Sequence, residues 1–361
     1  MMNSKEKVGF IGVGQAGGNI AKLFEDVGYT ALYINTSEED LKTLKNSPHQ
    51  YHVPNTTGCG KDRNLAKNAL ANFAEEICTQ INDIFTQEMI FVAFSTSGGT
   101  GSGIAPFLID ILSQETDKKI CAIAILPSEK ESIQAHINSY DCCKELTEIE
   151  DMGCTFFIDN NNSRSNDILT INNIFFFLLN DFLNKQDNYS VRGNIDETEV
   201  LKMLSAKGAS AITILKNEKS NIKNLVDNFK NNIFAPREND KIITYVGMYH
   251  SKEPIEEIDM QTVFAEIGTP IDLFQGYESD NTVCVLSGMS YPFTRVISIR
   301  DSVMEHQEII KKSLNVNTEN KLDDDFLSFI DGMKPKTNQK KADEVKPKKL
   351  SARERLMQFK K

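Results

Sequence analysis

The sequence predicts an α/β protein with a mostly parallel, Rossmann-like sheet, and three observations support that fold class. Short apolar runs alternate with helical patterns from residue 8 to residue 158, as in sheets covered by helices on both faces. Two of these runs are followed directly by glycine-rich loops. With 361 residues, 40% of them hydrophobic, the chain is long enough for two domains and a substantial core.

The first half of the chain is predicted to contain five strands joined by helices. The strands are the apolar runs that begin near Val8, Ala31, Met89, Ile120 and Thr155. Helices are predicted near 15–27, 64–86, 104–114 and 129–150, where apolar residues recur at three- and four-residue spacing. Because ligands of such sheets bind beyond the carboxyl ends of the strands, the loops after the strands are the expected site.

The second half is predicted to form a long central helix, a smaller α/β domain with a mixed sheet, and a tail. The helix covers about 166–187, and its apolar run 174–179 is expected to be fully buried between the domains. Further strands are predicted at 209–215, 241–248 and 283–286, and helices near 219–232, 260–266 and 295–314. The predicted domain boundaries are 1–165, 166–190, 191–315 and 316–361.

The loop at 97–103 is the strongest functional signal in the sequence. It reads Ser97-Gly98-Gly99-Thr100-Gly101-Ser102-Gly103, between an apolar run and a helical pattern. Four glycines leave the backbone N–H groups free to point at one anion, with a helix N-terminus behind them. Thr100 and Ser102 add small hydroxyl donors, so the loop predicts a phosphate site.

A second glycine-rich loop, at 12–19, follows the first strand. Its glycines fit the G-x-G-x-x-G dinucleotide fingerprint, but the second strand ends in Asn35-Thr36 instead of the expected carboxylate. A nicotinamide-dependent oxidoreductase stays an alternative, although it has no need of 97–103. Neither loop fits G-x-x-x-x-G-K-S/T, which excludes a P-loop NTPase.

Composition restricts the other classes of protein. Seven cysteines without C-x-x-C spacing indicate reduced thiols in a cytosol, and five scattered histidines give no structural metal site. No apolar segment reaches the roughly 18 residues of a membrane span, and residues 1–7 do not resemble a signal peptide. We therefore expect a cytoplasmic protein without a membrane span.

The tail differs from the rest in charge. Residues 334–361 carry eleven Lys and Arg against three acids, whereas the whole chain has a net charge of −11. Low hydrophobicity predicts disorder over 334–349, and Ser351 to Glu354 fits a capping box before a short basic amphipathic helix that forms on binding. Nucleic-acid phosphate, an acidic protein surface and an anionic membrane face are candidate partners, and a solubilising tail is the alternative.

The loops together resemble the tubulin/FtsZ family. Residues 97–103 are similar to its signature G-G-G-T-G-S/T-G, with Ser97 at the first glycine, and 12–19 to its first glycine loop. Asn35-Thr36 falls where the family has Asn-Thr. The resemblance covers about 8–200 well and about 200–315 by pattern only. It implies a GTPase that polymerises head to tail, with 1–165 as the GTP-binding domain.

The resemblance also implies individual roles in binding GTP or GDP. Loop 57–63 would lie near the γ-phosphate, and the loop after the run that begins near Ile120 would lie near the ribose. Two Asn would lie near guanine, whose O6, N1–H and N2–H2 an amide can pair with. Mg²⁺ would enter with the nucleotide, held by phosphates and water. Asn172 is the neighbour that could replace Asn173. The implied nucleotide-binding residues are Gly14, Gln15, Ala16, Asn19, Asn35, Thr57, Gly58, Gly60, Lys61, Ser97, Gly98, Gly99, Thr100, Gly101, Ser102, Pro127, Glu131, Asn160 and Asn173.

A hydrolysis loop is implied at 193–199. Asn194, Asp196 and Glu199 resemble the family's N-x-D-x-x-D/E, in which two carboxylates enter the next subunit's site and position the attacking water. The alternative is that these acids are favourably placed in a first helical turn.

Several departures separate the chain from ordinary FtsZ. They are the loop T-G-C-G-K-D, Ser97, Ser37 where FtsZ has Asp, the segment 286–295 and the basic tail. This set resembles TubZ, the plasmid- and phage-encoded bacterial tubulins. It implies dynamic filaments that segregate or position plasmid or phage DNA through a DNA-bound adaptor on 334–361. An FtsZ-like division filament, a phage-positioning filament and a scaffold that binds nucleotide without turnover remain alternatives.

Overall fold

A computed structural model describes residues 3–163, 168–185, 190–317 and 351–360, and one ten-stranded sheet runs through it. The strands are β1 (Val8–Val13), β2 (Thr30–Asn35), β3 (Gln50–His52), β4 (Met89–Ser95), β5 (Lys119–Leu126), β6 (Cys154–Asp159), β7 (Gly208–Leu215), β8 (Ile242–Ser251), β9 (Thr269–Ser279) and β10 (Thr282–Met289). Their order is β3-β2-β1-β4-β5-β6-β7-β10-β8-β9.

The sheet is parallel from β3 to β7 and mixed beyond it. β6 and β7 pair over two residues only, Cys154 with Gly208 and Thr155 with Ala209. β10 then lies antiparallel to β7 and to β8, and β8 lies parallel to β9. The predicted α/β fold with a mostly parallel sheet is confirmed.

The helices pack on the sheet, and several of them also contact one another. The helices are α1 (Ser4–Lys7), α2 (Gly14–Glu25), α3 (Glu38–Lys42), α4 (Arg63–Ile84), α5 (Thr100–Glu115), α6 (Ile133–Thr147), α7 (Ile168–Leu183), α8 (Glu197–Ser205), α9 (Ile222–Lys230), α10 (Met260–Ile267), α11 (Phe293–Asn317) and α12 (Ala352–Met357). α2 packs against α7, and α4, α5, α6 and α11 are neighbours in turn. No described helix combines the length and the apolar character that a membrane crossing needs.

The tight contact of α2 with the sheet depends on glycine and on aromatic rings. A Cβ added at Gly17 would collide with the carbonyl oxygen of Ala93 in β4. Deeper in the same contact, the rings of Phe10 and Phe24 stack with centroids 3.8 Å apart, and both side chains are fully buried. This contact fixes where α2 begins, and so where the first glycine loop lies.

The predicted full burial of the central helix is wrong. In α7, Phe175 and Leu179 are buried against the core, but Ile174 is 42% and Phe177 is 56% exposed. A helix surface repeats every 3.6 residues, so an unbroken apolar run covers all its faces while one contact surface covers only some of them. Residues 164–167 of the predicted helix lie outside the described residues.

The C-terminal helix forms on the chain itself. Ser351 and Glu354 make the predicted capping box, in which Glu354 Oε2 accepts from Ser351 N at 2.8 Å and Ser351 Oγ from Glu354 N at 3.3 Å. The helix α12 packs on α4 and α5 of the same chain, whereas its formation was expected only on binding a partner. The disorder predicted for 334–349 lies outside the described residues.

Candidate functional site

A cavity of about 630 Å³ opens at the carboxyl ends of the central strands. Loops after β1, β4, β5 and β6 and the start of α7 surround it. Six residues implied by the resemblance line it, namely Gln15, Ala16, Asn19, Ser97, Glu131 and Asn160. The position is the one expected for a ligand of a parallel sheet.

The two glycine loops meet at one end of this cavity. Gly14 has a left-handed φ of +70°, and a Cβ added to it would lie 3.2 Å from the backbone nitrogen of Gly101. A Cβ added at Gly98 would meet nothing within 4 Å, so the backbone there faces open space. Gly99 is the N-cap of α5. Open backbone N–H groups before a helix N-terminus form an anion site.

A third loop is attached to this end. Thr36 Oγ1 lies 2.6 Å from Thr100 Oγ1 and accepts from Cys59 Sγ at 3.3 Å, while Gly58 N donates to Thr36 O at 2.7 Å. Thr57 and the neighbouring Gly60 and Lys61 are exposed and do not line the main cavity. These contacts hold loop 57–61 beside the glycine loop without placing it in the cavity.

Three of the implied binding side chains make hydrogen bonds within the chain. Asn35 is buried, its Nδ2 donates to Asp40 Oδ2 at 3.2 Å, and its Oδ1 accepts from Ser37 N at 3.1 Å. The Ser102 hydroxyl is buried and donates to the Gly98 carbonyl. The Thr100 hydroxyl lies 2.6 Å from the Thr36 hydroxyl, and either oxygen can be the donor of that hydrogen bond. The Thr100 hydroxyl can therefore still donate to a phosphate when Thr36 is the donor.

The far end of the cavity presents two amide oxygens. Oδ1 of Asn160 and Oδ1 of Asn172 are buried and have no hydrogen-bond partner among the described residues, and both side chains line the cavity. Asn172 is 3% exposed. A buried acceptor without a donor costs about 1–3 kcal/mol, so this end is suited to a ligand with N–H donors. Guanine N1–H and N2–H2 are such donors.

Asn173, the first of the two alternatives for this position, does not line the cavity. Its side chain is exposed, and its Nδ2 donates to the Leu169 carbonyl at 2.9 Å. Successive residues of a helix point about 100° apart. A shift of one residue along the helix therefore decides whether a side chain faces the cavity or solvent, and Asn172 is the one that lines the cavity.

Ser97 and Glu131 join the phosphate end to the loop after β5. Ser97 Oγ donates to Glu131 Oε2 at 3.1 Å, and Ser128 N donates to Glu131 Oε1 at 3.2 Å. Pro127 does not line the cavity, and its carbonyl accepts from Arg295 Nη2 at 2.7 Å. The serine that departs from the family signature thus contributes a side-chain contact that glycine lacks.

Two supporting residues were missed by sequence reasoning. Asn138 Nδ2, on α6, lies within 2.8–3.3 Å of the carbonyls of Lys61, Ser97 and Gly98. Arg295, on α11, donates from Nε to Asp159 Oδ2 at 2.6 Å, next to Asn160. An Asn inside a helical pattern gives no sequence signal, whereas Arg295 lies at the end of the segment 286–295 that departs from FtsZ.

The implied hydrolysis loop forms a reciprocal helix cap. Asp196 Oδ1 accepts from Glu199 N at 2.9 Å, and Glu199 Oε2 accepts from Asp196 N at 2.9 Å. Asn194 makes two hydrogen bonds with the backbone of Ser190. Burial raises the pKa of Glu199 above its ordinary value. The capping alternative therefore describes these acids in the isolated chain, and it places both carboxylates side by side.

This acidic loop lies at the opposite edge of the sheet from the cavity. Glu197 Oε1 pairs at 3.1 Å with Lys7 Nζ, which also contacts Glu88 at 3.2 Å. Lys7 and Glu88 immediately precede β1 and β4, whereas the glycine loops follow those strands. A six-residue strand spans about 20 Å. The carboxylates of 196–199 are thus separated from the cavity of their own chain by about the length of one strand.

No group of three or more metal-ligating side chains occurs among the described residues.

Comparisons with a protein family, with a related sequence and with solved structures all indicate the same family. Residues 7–166 match the Tubulin/FtsZ family, GTPase domain. The tubulin-like protein TubZ of Clostridium botulinum C phage is 31% identical over 323 residues, which are 86% of this chain and 88% of that protein.

The solved structures agree with the sequences. The C-terminal tail truncated TubZ of Clostridium botulinum phage c-st superposes with a TM-score of 0.76 at 27% identity, covering 85% of this chain and 99% of that one. TubZ of Bacillus thuringiensis serovar israelensis, in a GTPγS-form protofilament, has a TM-score of 0.71 at 15% identity, covering 88% and 97%. At 15% identity, the similarity to the Bacillus thuringiensis protein shows a shared fold.

Proposed function

This chain belongs to the tubulin/FtsZ family of GTPases, and from that premise we propose that it assembles head to tail into filaments and hydrolyses GTP between successive subunits. The observation that carries the proposal is the separation of the cavity from the acids of 196–199 by the length of the sheet. Stacking one subunit's acidic edge on the next subunit's cavity edge brings the two together. Repetition of that contact, being head to tail, forms an open filament.

The residues of one subunit would divide the nucleotide between them. Backbone groups of 14–15 and 98–101 would bind the phosphates, and Asn160 and Asn172 the base, since their free amide oxygens match the donors of guanine. Mg²⁺ bound with the nucleotide would neutralise phosphate charge. Asp196 and Glu199 of the next subunit would orient the attacking water, because phosphoryl transfer depends on positioning and charge.

The proposed biological role is to move or position plasmid or phage DNA. The similarity to a phage-encoded TubZ and the basic tail both support it. In this proposal a DNA-bound adaptor binds 334–361 and couples the DNA to the filament. A division filament of FtsZ type lacks this support, because the tail has no segment of the Pro, Asp and apolar residues that such proteins present to partners.

Phosphate release against protein concentration, with light scattering in parallel, tests the assembly proposal. We expect a threshold concentration, scattering from the same threshold, and a linear rise above it. A rate per molecule that is constant from the lowest concentration, without scattering, would contradict a shared site.

The shared site is tested with Asp196→Asn. Asn is also a good N-cap, so this change removes charge while keeping the helix start. We expect unchanged GTP binding, long-lived filaments and a loss of hydrolysis of about 100-fold or more. Glu197→Gln is the matched control, since Glu197 is next in sequence but paired with Lys7, and it should leave turnover nearly unchanged. Equal effects of the two changes would refute the roles given to this loop.

A further inference from the structure

The C-terminal helix occupies a groove on the GTPase domain that the nucleotide site does not use. Leu356, in α12, is 2% exposed. The Phe359 ring that follows lies 6.0 Å from the Phe107 ring at 73°, and the Lys67 ammonium lies 4.7 Å above Phe359. Phe107 lies on α5 and Lys67 on α4. One turn of helix therefore inserts its apolar side between two helices of the domain.

Acidic side chains of the groove pair with basic side chains of the helix. Arg353 pairs with Glu115 through two nitrogens and reaches Glu75 at 3.8 Å. Arg355 pairs with Asp110 and, at 2.9 Å, with Glu148. The acids come from α4, from α5 and from the C-cap of α6, all distant in sequence from the tail. Each arginine has its own acidic partners and Leu356 is buried beside them, so these contacts hold the helix in one register. A general attraction between a basic tail and an acidic domain would not fix a register.

We propose that this tail groove, defined by Glu75, Phe107, Asp110, Glu115 and Glu148, is the binding site of the chain's own residues 351–360. Docking within one chain keeps Arg353 and Arg355 from external partners. Attachment through 318–350 makes docking an intramolecular event, which a free peptide of the same sequence can match only at high concentration. The docked tail is thus the resting state, and a partner that binds the same arginines must displace it.

The groove is also next to a nucleotide loop. Gly60, Lys61 and Asp62 share a cavity of about 860 Å³ with Gln358 and Phe359. Lys67 pairs with Glu145 at 2.6 Å, and Arg63 pairs with the same carboxylate while donating to the Ser102 carbonyl at 2.9 Å. A continuous series of contacts, through Lys67, Glu145 and Arg63, therefore links the docked Phe359 to the Ser102 carbonyl in the glycine-rich loop.

A labelled peptide of residues 350–361 tests the proposal by fluorescence anisotropy with full-length protein. The measurement uses GDP and protein below the assembly threshold, so it does not depend on filaments, hydrolysis or an adaptor. In the wild type the tail groove is filled, whereas Arg355→Glu opposes Asp110 and Glu148 and empties it. We expect the peptide to bind the variant about tenfold more tightly than the wild type, or better.

Lys360→Glu is the matched control, because it reverses a charge in the same segment at an exposed side chain without an ion pair among the described residues. It should behave as the wild type. Equal peptide affinity for the wild type and Arg355→Glu would overturn docking within one chain. Absence of binding to either would overturn the groove as the receptor.

A charge exchange gives a second test, in which the labelled peptide carries Arg353→Glu wherever residue 115 is Arg. Arg353→Glu should open the groove, and Glu115→Arg in the same chain should close it again, since the pair is restored with reversed signs. Glu115→Arg alone should also open it. If the double variant binds the Arg353→Glu peptide as tightly as Glu115→Arg alone does, the observed pair does not hold the tail, and the register proposed here is wrong.

Discussion

The ion pair of Arg295 and Asp159 provides the most direct test of how the two halves of the chain support the site. Arg295 lies at the start of α11, after the mixed part of the sheet, and Asp159 ends β6 in the parallel part. Their side chains are 7% and 1% exposed, and Nε to Oδ2 is 2.6 Å. Arg295 Nη2 also donates to the Pro127 carbonyl, at the end of β5. One guanidinium therefore fixes the ends of two strands whose loops line the cavity.

Arg295→Met removes the cation and leaves a buried carboxylate. Breaking a buried pair by removing one partner costs about 3–5 kcal/mol, because the desolvated charge loses its compensation. Against a total of about 5–15 kcal/mol for a typical domain, that loss is large. Asp159→Asn in the same chain should recover much of it, since removing both charges is close to neutral in buried pairs.

Urea unfolding and GTP affinity are the measurements. Arg300→Met is the matched control on the same helix, because Arg300 pairs with Asp301 at the surface, and it should leave the unfolding midpoint unchanged. Arg295→Met should also weaken GTP binding, since the loops after Pro127 and Asp159 lose a common support. The reasoning fails if Arg295→Met unfolds at the same urea concentration as Arg300→Met.

Three further predictions concern single residues. Asn172→Ala should weaken GTP binding about 5- to 150-fold, the range of a lost buried hydrogen bond, while Asn173→Ala changes it little; a larger effect at Asn173 in a titration would contradict the assignment. Burial lowers the pKa of His250 from 6.5, so the unfolded chain takes up the proton first and stability falls as pH drops through that value. His250→Gln should flatten this part of the curve of unfolding midpoint against pH, and an unchanged slope would exclude the residue. Gly17→Ala should prevent native folding, because its Cβ would collide with the Ala93 carbonyl; a native circular dichroism spectrum and normal GTP binding would refute this.

The parallel part of the fold could be predicted because its strands are buried on both faces. Val8–Val13 and Met89–Ser95 appear in the sequence as apolar runs, and the glycine loops follow them. β9 could not be found in this way. Thr269–Ser279 is an edge strand in which polar residues, a proline and a glycine interrupt the apolar ones, so it has neither a run nor a regular alternation.

The site was predictable where the backbone acts and less so where side chains act. A high glycine content predicts a loop whose backbone is open to a ligand. In the structure, the loops at 12–19 and 97–103 are in contact. The direction of a side chain depends on helix phase and on local hydrogen bonds that the sequence does not contain. Ser102 turns to the Gly98 carbonyl, and Asn172 faces the cavity in place of Asn173. The first difference comes from one hydrogen bond, and the second comes from a shift of one residue along the helix.

Sheet polarity connects the parts that the motifs leave separate. Every parallel strand has its amino end at one edge and its carboxyl end at the other, so residues before β1 and residues after it lie about 20 Å apart. Lys7, before β1, pairs with Glu197 in the acidic loop, and Gly14 begins the helix directly after β1. The pair at Lys7 thus shows that the acids lie about one strand length from the glycine loops. A motif search places both in one chain, and only the strand direction between them shows that a single subunit cannot bring them together.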